Sequence, residues 1–128
     1  MKFDFRGGLL YLPISVFYDS CVELVGIIDT GSAGTVAEVD RFNIDFLSRN
    51  ARIVTVCGVG GEQEAFAQTV SSVKIGGFEV KNFEIEFCDL KDDFGFEAII
   101  GSDLLDKLGA IINFQKKEIE FAFSGLLA

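Results

Sequence analysis

Apolar residues recur along most of this chain at every second position, the spacing of half-buried strands, and β-branched and aromatic side chains fill the runs. Residues 10–18 and 21–28 read as a strand pair turning at Asp19-Ser20. Val36, Val39, Phe42 and Phe46 leave this alternation for helical spacing; with Thr35 as N-cap and Asn50 as stop they predict a short helix. Residues 53–57 and 62–70 flank Gly58-Val59-Gly60-Gly61 and predict a long hairpin with a glycine tip. Two strands follow, at 71–75 and 78–88, joined at Gly76-Gly77; residues 90–95 form a polar, acidic loop. Residues 98–100 are a short apolar strand ending at Gly101. Ser102 is placed as the cap of a helix carrying Leu104, Leu105 and Leu108 and stopping at Gly109. A last hairpin pairs 110–114 with 118–123 across Gln115-Lys116-Lys117. The pattern predicts one mainly-β domain over residues 1–128 with two short helices, a small barrel or sandwich, without linker or repeat.

The informative segment is Val25-Gly26-Ile27-Ile28-Asp29-Thr30-Gly31-Ser32, where an apolar strand runs directly into an acid, a hydroxyl, a glycine and a second hydroxyl. A carboxylate at the end of a buried strand is costly unless it is hydrogen-bonded or paired. Thr30 can lock the loop, Gly31 lets a backbone N–H approach the carboxylate, and Ser32 can bond its outer oxygen. A plain turn with a capping Asp or Ser accounts for these four residues equally well, so the flanks must decide.

Composition removes the competing chemistries. The 128 residues suit one domain, with 49% hydrophobic and 24% charged residues; fourteen Phe and no Trp make the core Phe-rich. The net charge of −9 repels phosphate backbones and anionic membranes, and no compact basic run offsets it. Without any His, Ser-His and Cys-His nucleophilic mechanisms are excluded, and without a Cys-x-x-Cys the usual soft-ligand metal sites go too, so no metal or cofactor is expected. Cys21, Cys57 and Cys88 are odd in number and widely spaced, which favours a reducing, cytoplasmic setting over a disulfide framework. The apolar run at 9–17 is interrupted by Pro13, follows Asp4 and Arg6, leads to no small-residue cleavage site, and is too short to span a bilayer.

Two other clusters carry little. The glycines at 58, 60 and 61 are followed by no Lys-Ser/Thr and no helix, so they read as a hairpin tip in preference to a phosphate cradle. Asp89, Asp92 and Asp93 lack the spacing of a calcium loop.

About seventy residues after Asp29, Ala98-Ile99-Ile100-Gly101-Ser102-Asp103-Leu104-Leu105 supplies an apolar strand, a glycine and a short helix. Together with the Asp-Thr-Gly-Ser loop and the glycine-tipped hairpin, in that order, this resembles the clan of pepsin and retroviral proteases, and most closely its single-lobed, retropepsin-like members. The resemblance runs over residues 10–121 and includes the strand Gly109-Ala110-Ile111-Ile112-Asn113-Phe114 after the helix. It implies a closed β-barrel of the acid-protease fold, one lobe per chain, and an aspartic endopeptidase. Asp29 would be the catalytic acid, Thr30 the cross-dimer hydroxyl lock, and Gly31 and Ser32 the groups holding the carboxylate. Val56, Cys57, Gly58, Val59, Gly60 and Gly61 would form the flap over the peptide, with Gly101 beneath the catalytic loop and Asp103 at the start of the supporting helix. Two features depart from retroviral proteases: about twenty residues follow Gly109, and the flap lacks a Tyr and carries Cys57 beside its tip.

The chain holds a single Asp-Thr-Gly. Metal-free hydrolysis through water needs one carboxylate as base and one as acid, so the second must come from another copy across a two-fold axis. The expected partners are therefore a second copy of the chain and a peptide or protein substrate, without nucleic acid or membrane. The rival reading is a silent peptide-binding or dimerisation module of the same fold.

Overall fold

The computed structural model describes residues 1–44, 51–58, 61–90 and 95–122. Its strands are β1 (Asp4–Arg6), β2 (Leu9–Phe17), β3 (Cys21–Ile28), β4 (Val36–Glu38), β5 (Arg52–Gly58), β6 (Gly61–Ile75), β7 (Phe78–Cys88), β8 (Ala98–Ile100), β9 (Ala110–Asn113) and β10 (Glu118–Phe121); one helix, α1 (Ser102–Leu108), lies between β8 and β9. The protein is mainly β. No helix among the described residues is long and apolar enough to cross a membrane.

Strands β2 and β3 form the expected hairpin, Tyr11 opposite Ile27 through Phe17 opposite Cys21, and alternation sends Leu10, Leu12, Ile14 and Val16 into the core. From β3 the pairings run through β8, β4, β7 and β6, and β6 returns to β2 at Ser15–Phe17. Pro13 fits this circuit because its missing donor is not needed. Its partner Val25 exchanges hydrogen bonds with Glu97 instead (Glu97 N–H to Val25 O, 2.7 Å; Val25 N–H to Glu97 Oε1, 3.2 Å). Pro13 and Val25 are thus a non-hydrogen-bonded pair, and the Pro13 nitrogen faces the gap between β1, paired at residues 9–11, and β6, paired at 15–17.

The long strands turn their faces over partway along. On β6 the core side passes from Phe66, Gln68 and Val70 to Val73 and Ile75; on β7 it passes from Val80 to Phe83, Ile85 and Phe87. The switch falls at Ser71 and at Asn82, whose φ of 54° is left-handed. The two strands expected at 62–70 and 71–75 are therefore one, Gly61–Ile75, and the break in alternation marks a bend.

The helix expected from Thr35 does not form in its first half. Val36–Glu38 is strand β4, buried at all three residues between β8 and β7, and Val39–Arg41 is a single 3-10 turn. Burial on both faces removes the strand alternation, and the turn that follows brings Val39 and Phe42 to helical spacing. Phe46 and Asn50 lie outside the described residues. The helix after β8 forms, but Gly101 occupies its cap position without a side-chain cap, and Ser102 is its first residue. At the other end Gly109 is left-handed (φ 60°, ψ 48°), and its N–H bonds the Asp106 and Leu105 carbonyls. The final hairpin forms as read over its described residues, Phe121 opposite Ala110, and Ile119 is fully buried in the core. Residues Met1 to Phe3 bond along β10: Ile119 N–H to Met1 O is 2.9 Å and Phe3 N–H to Lys117 O is 3.1 Å.

Cys88 is buried at the end of β7, and burial, reinforced by the Glu38, Glu86 and Asp89 carboxylates, pushes its thiol up to about 11. The reactive thiolate is correspondingly scarce at neutral pH. Brief iodoacetamide treatment of the native protein, read by peptide mass mapping, should modify exposed Cys21 and leave Cys88 untouched until the chain is unfolded.

Candidate functional site

Parallel pairing of β3 with β8 brings the two informative segments together. Gly26, Ile27 and Ile28 lie opposite Ala98, Ile99 and Ile100, and the ladder continues one residue past the strand, Asp29 N–H to Ile100 O at 3.0 Å. The chain then turns tightly, with Ser32 N–H on Asp29 O at 3.1 Å. Inside this turn Gly31 N–H donates to Asp29 Oδ1 at 2.9 Å, fixing the carboxylate from below and leaving the side chain exposed. Gly31 thus has the expected role. Ser32 does not: its hydroxyl donates to Gly34 O at 2.8 Å instead of to the carboxylate. Thr30 is exposed, and among the described residues its hydroxyl has no partner.

Gly101 sits beneath this loop. A methyl group built there would lie 2.2 Å from Gly34 O and 2.8 Å from Ser32 O, both backbone atoms that cannot yield. Only glycine fits, because the loop rests directly on the start of α1. Ser102 completes the contact, giving its N–H (2.8 Å) and its hydroxyl (3.1 Å) to Ser32 O.

Asp103 has a larger role than marking the start of a helix. Its carboxylate takes Thr35 Oγ1–H at 2.7 Å on one oxygen and Thr35 N–H at 3.2 Å on the other, while Thr35 Oγ1 accepts Gly101 N–H at 3.1 Å. Thr35 is 1% exposed; its bonds to the partly buried Asp103 are charge-assisted, and the one from Gly101 is fully buried. Thr35, read from sequence as a helix cap, is in fact the pin between the Asp29 loop and α1. One signal was available: a lone Thr directly before the apolar residues of β4, at the end of a run of small residues from Gly31.

Glu86 is a second residue that the sequence did not point out. Its N–H holds Thr35 O at 3.0 Å, and its side chain covers Gly34. Burial raises its carboxyl above the ordinary 4.5, helped by Asp103 and Glu84 and opposed by Arg52.

The glycine-tipped hairpin is paired in register from Arg52 opposite Ala67 to Gly58 opposite Gly61. Val59 and Gly60, and the side chains of Val56, Cys57, Gly58 and Gly61, lie outside the described residues. At the base of the hairpin Val54 and Ala65 pack with Val36, Cys88, Leu90 and Ile99. This anchors the hairpin to β4 and β8, the strands beside the Asp29 loop. No three Cys, Asp or Glu side chains converge as metal ligands among the described residues; Asp92 and Asp93 fall outside them.

Replacing Thr35 by Val keeps the shape but strands Gly101 N–H and leaves Asp103 Oδ1 with the Leu104 N–H alone. Chemical denaturation should show a loss of about 2 kcal/mol, with Thr35→Ser retaining most of the stability.

No protein-family model matches this chain, and no curated sequence matches it significantly.

Proposed function

We propose that the chain is half of a homodimeric aspartic endopeptidase of the retropepsin-like kind, acting in the cytoplasm. The observation that carries the reading is the Asp29 loop itself. An exposed carboxylate stands at the end of a strand, fixed by a backbone N–H, on a turn seated on Gly101 and pinned by Thr35 to Asp103. Catalytic carboxylates need such fixed placement, since misplacement by a fraction of an ångström lowers the rate steeply. The circuit of strands through β2, β3, β8, β4, β7 and β6 supports the closed acid-protease barrel, and the hairpin anchored beside the loop supports a flap.

In this mechanism the two Asp29 carboxylates of a dimer face one another and share one proton at moderately acidic pH, because mutual repulsion opposes a second ionisation. The ionised member takes a proton from water, and the protonated one gives its proton to the carbonyl oxygen of the peptide. The tetrahedral intermediate then collapses as the leaving nitrogen is protonated. The titration belongs to the pair, not to either carboxyl. Thr30, whose hydroxyl has no partner among the described residues, reaches across the two-fold axis in this dimer. The substrate is an extended peptide with apolar side chains at the scissile bond.

Asp29→Asn should lower peptide-library cleavage at mildly acidic pH by about a thousandfold or more, without changing unfolding stability beyond about 0.5 kcal/mol. Cleavage at the wild-type rate by that variant excludes the mechanism. Activity per chain, followed down a dilution series, should collapse below the dimer dissociation constant and return on reconcentration; a constant value through a dilution that sedimentation shows to be monomeric rules out a shared site.

A further inference from the structure

We infer that Glu86 is a positioning residue for the Asp29 loop, and that its protonation state sets how firmly the loop is held, the neutral carboxyl being the holding form. Its backbone and side chain grip the same short stretch. The Glu86 N–H holds Thr35 O at 3.0 Å, and a methyl group at Gly34 would meet Glu86 Oε1 at 2.0 Å and its carboxyl carbon at 2.8 Å. Gly34 in turn accepts the Ser32 hydroxyl and lies against Gly101. The Glu86 carboxyl therefore presses on the outside of the loop whose inside rests on α1. Glu86 makes no side-chain hydrogen bond among the described residues.

Its charged neighbours are Asp103 on α1, Glu84 on β7 and Arg52 on β5. Arg52 and Glu86 both lie opposite Ala67 and so share one face of the sheet, but Arg52 is engaged by Glu84, 2.5 Å away. The ionised carboxyl consequently faces a net excess of like charge. Asp103 is the neighbour that matters, because its carboxylate accepts both Thr35 donors. A proton on Glu86 removes the repulsion that loosens that pin.

The sign follows from linkage. Glu86 has a folded-state value raised above 4.5, so the fold binds this proton more tightly than the unfolded chain does. The stabilisation is complete below the ordinary value and is lost as pH rises through the raised one. A glutamine, neutral at every pH, should hold the loop without that loss.

The test compares wild type with Glu86→Gln and Glu86→Ala by amide exchange at Thr35 and Gly101, as protection factors corrected for intrinsic rates, from acid to neutral pH. Wild-type protection should fall with pH while Glu86→Gln stays level, so that at neutral pH the variant is the better protected by at least about twofold. Glu86→Ala should be equally flat but lower throughout, having lost the cover over Gly34. Parallel pH courses for wild type and Glu86→Gln overturn the inference. The consequence for catalysis rests on the proposed protease activity: the ratio of kcat/KM, Glu86→Gln over wild type, should rise with pH over the same range. If neither protein cleaves, the protease reading fails while the exchange comparison still decides the role of Glu86.

Discussion

The buried hydroxyl of Thr35 is the interaction on which the site depends. It accepts from Gly101 and donates to Asp103, so one side chain joins the end of the Asp29 loop, the end of β8 and the first turn of α1. Each of these pieces is weak alone. The loop is short and rich in small residues, β8 has three residues, and α1 has seven, well below the length at which an isolated helix holds in water. Tied together, they let Asp29 be exposed and still fixed. The close approach at Gly101 is the steric counterpart of the same joint, since backbone packed on backbone leaves no room for slack.

The rest of the fold brings these pieces to one place. Two parallel pairings, β3 with β8 and β4 with β7, join segments far apart in sequence, whereas the hairpins around them are local. The circuit closes on β2 because β6 and β7 turn over at Ser71 and Asn82, and because Pro13 falls where β2 has no neighbour on that edge. Helix α1 buries Leu104 and Leu108, and β10 buries Ile119, in the same core as β2, so the support beneath the loop moves with the body of the sheet.

The carboxylates near the site differ in environment. Asp29 is exposed and accepts the Gly31 N–H, Asp103 is bonded by Thr35 and by the Leu104 N–H, and Glu86 lies half-buried without a side-chain hydrogen bond among the described residues. In the proposed dimer the free face of Asp29 would meet its symmetry mate, and the Thr30 hydroxyl, without a partner among the described residues, would find its acceptor. That division is economical physically: Asp103 does its structural work through neutral donors, which leaves Asp29 as the carboxylate open to a like charge from outside the chain.

The sequence by itself determined the mainly-β character, the β2–β3 hairpin, the β5–β6 hairpin, the helix ending at Gly109 and the last hairpin. Alternation, turn residues and a left-handed glycine are local signals, and they need no knowledge of distant neighbours. It also singled out Asp29, Gly31, Gly101 and Asp103, through the order of three segments that resembles a known family, since the four loop residues alone suit a plain turn as well. Tertiary structure alone decided that Val36–Glu38 is a strand, because burial between β8 and β7 erases the alternation that would mark it. It alone turned Ser32 towards Gly34, made Thr35 the pin and set Glu86 against the loop. The contacts of Thr35 and Glu86 cross fifty to seventy residues of chain, and no spacing within a single strand or helix encodes them.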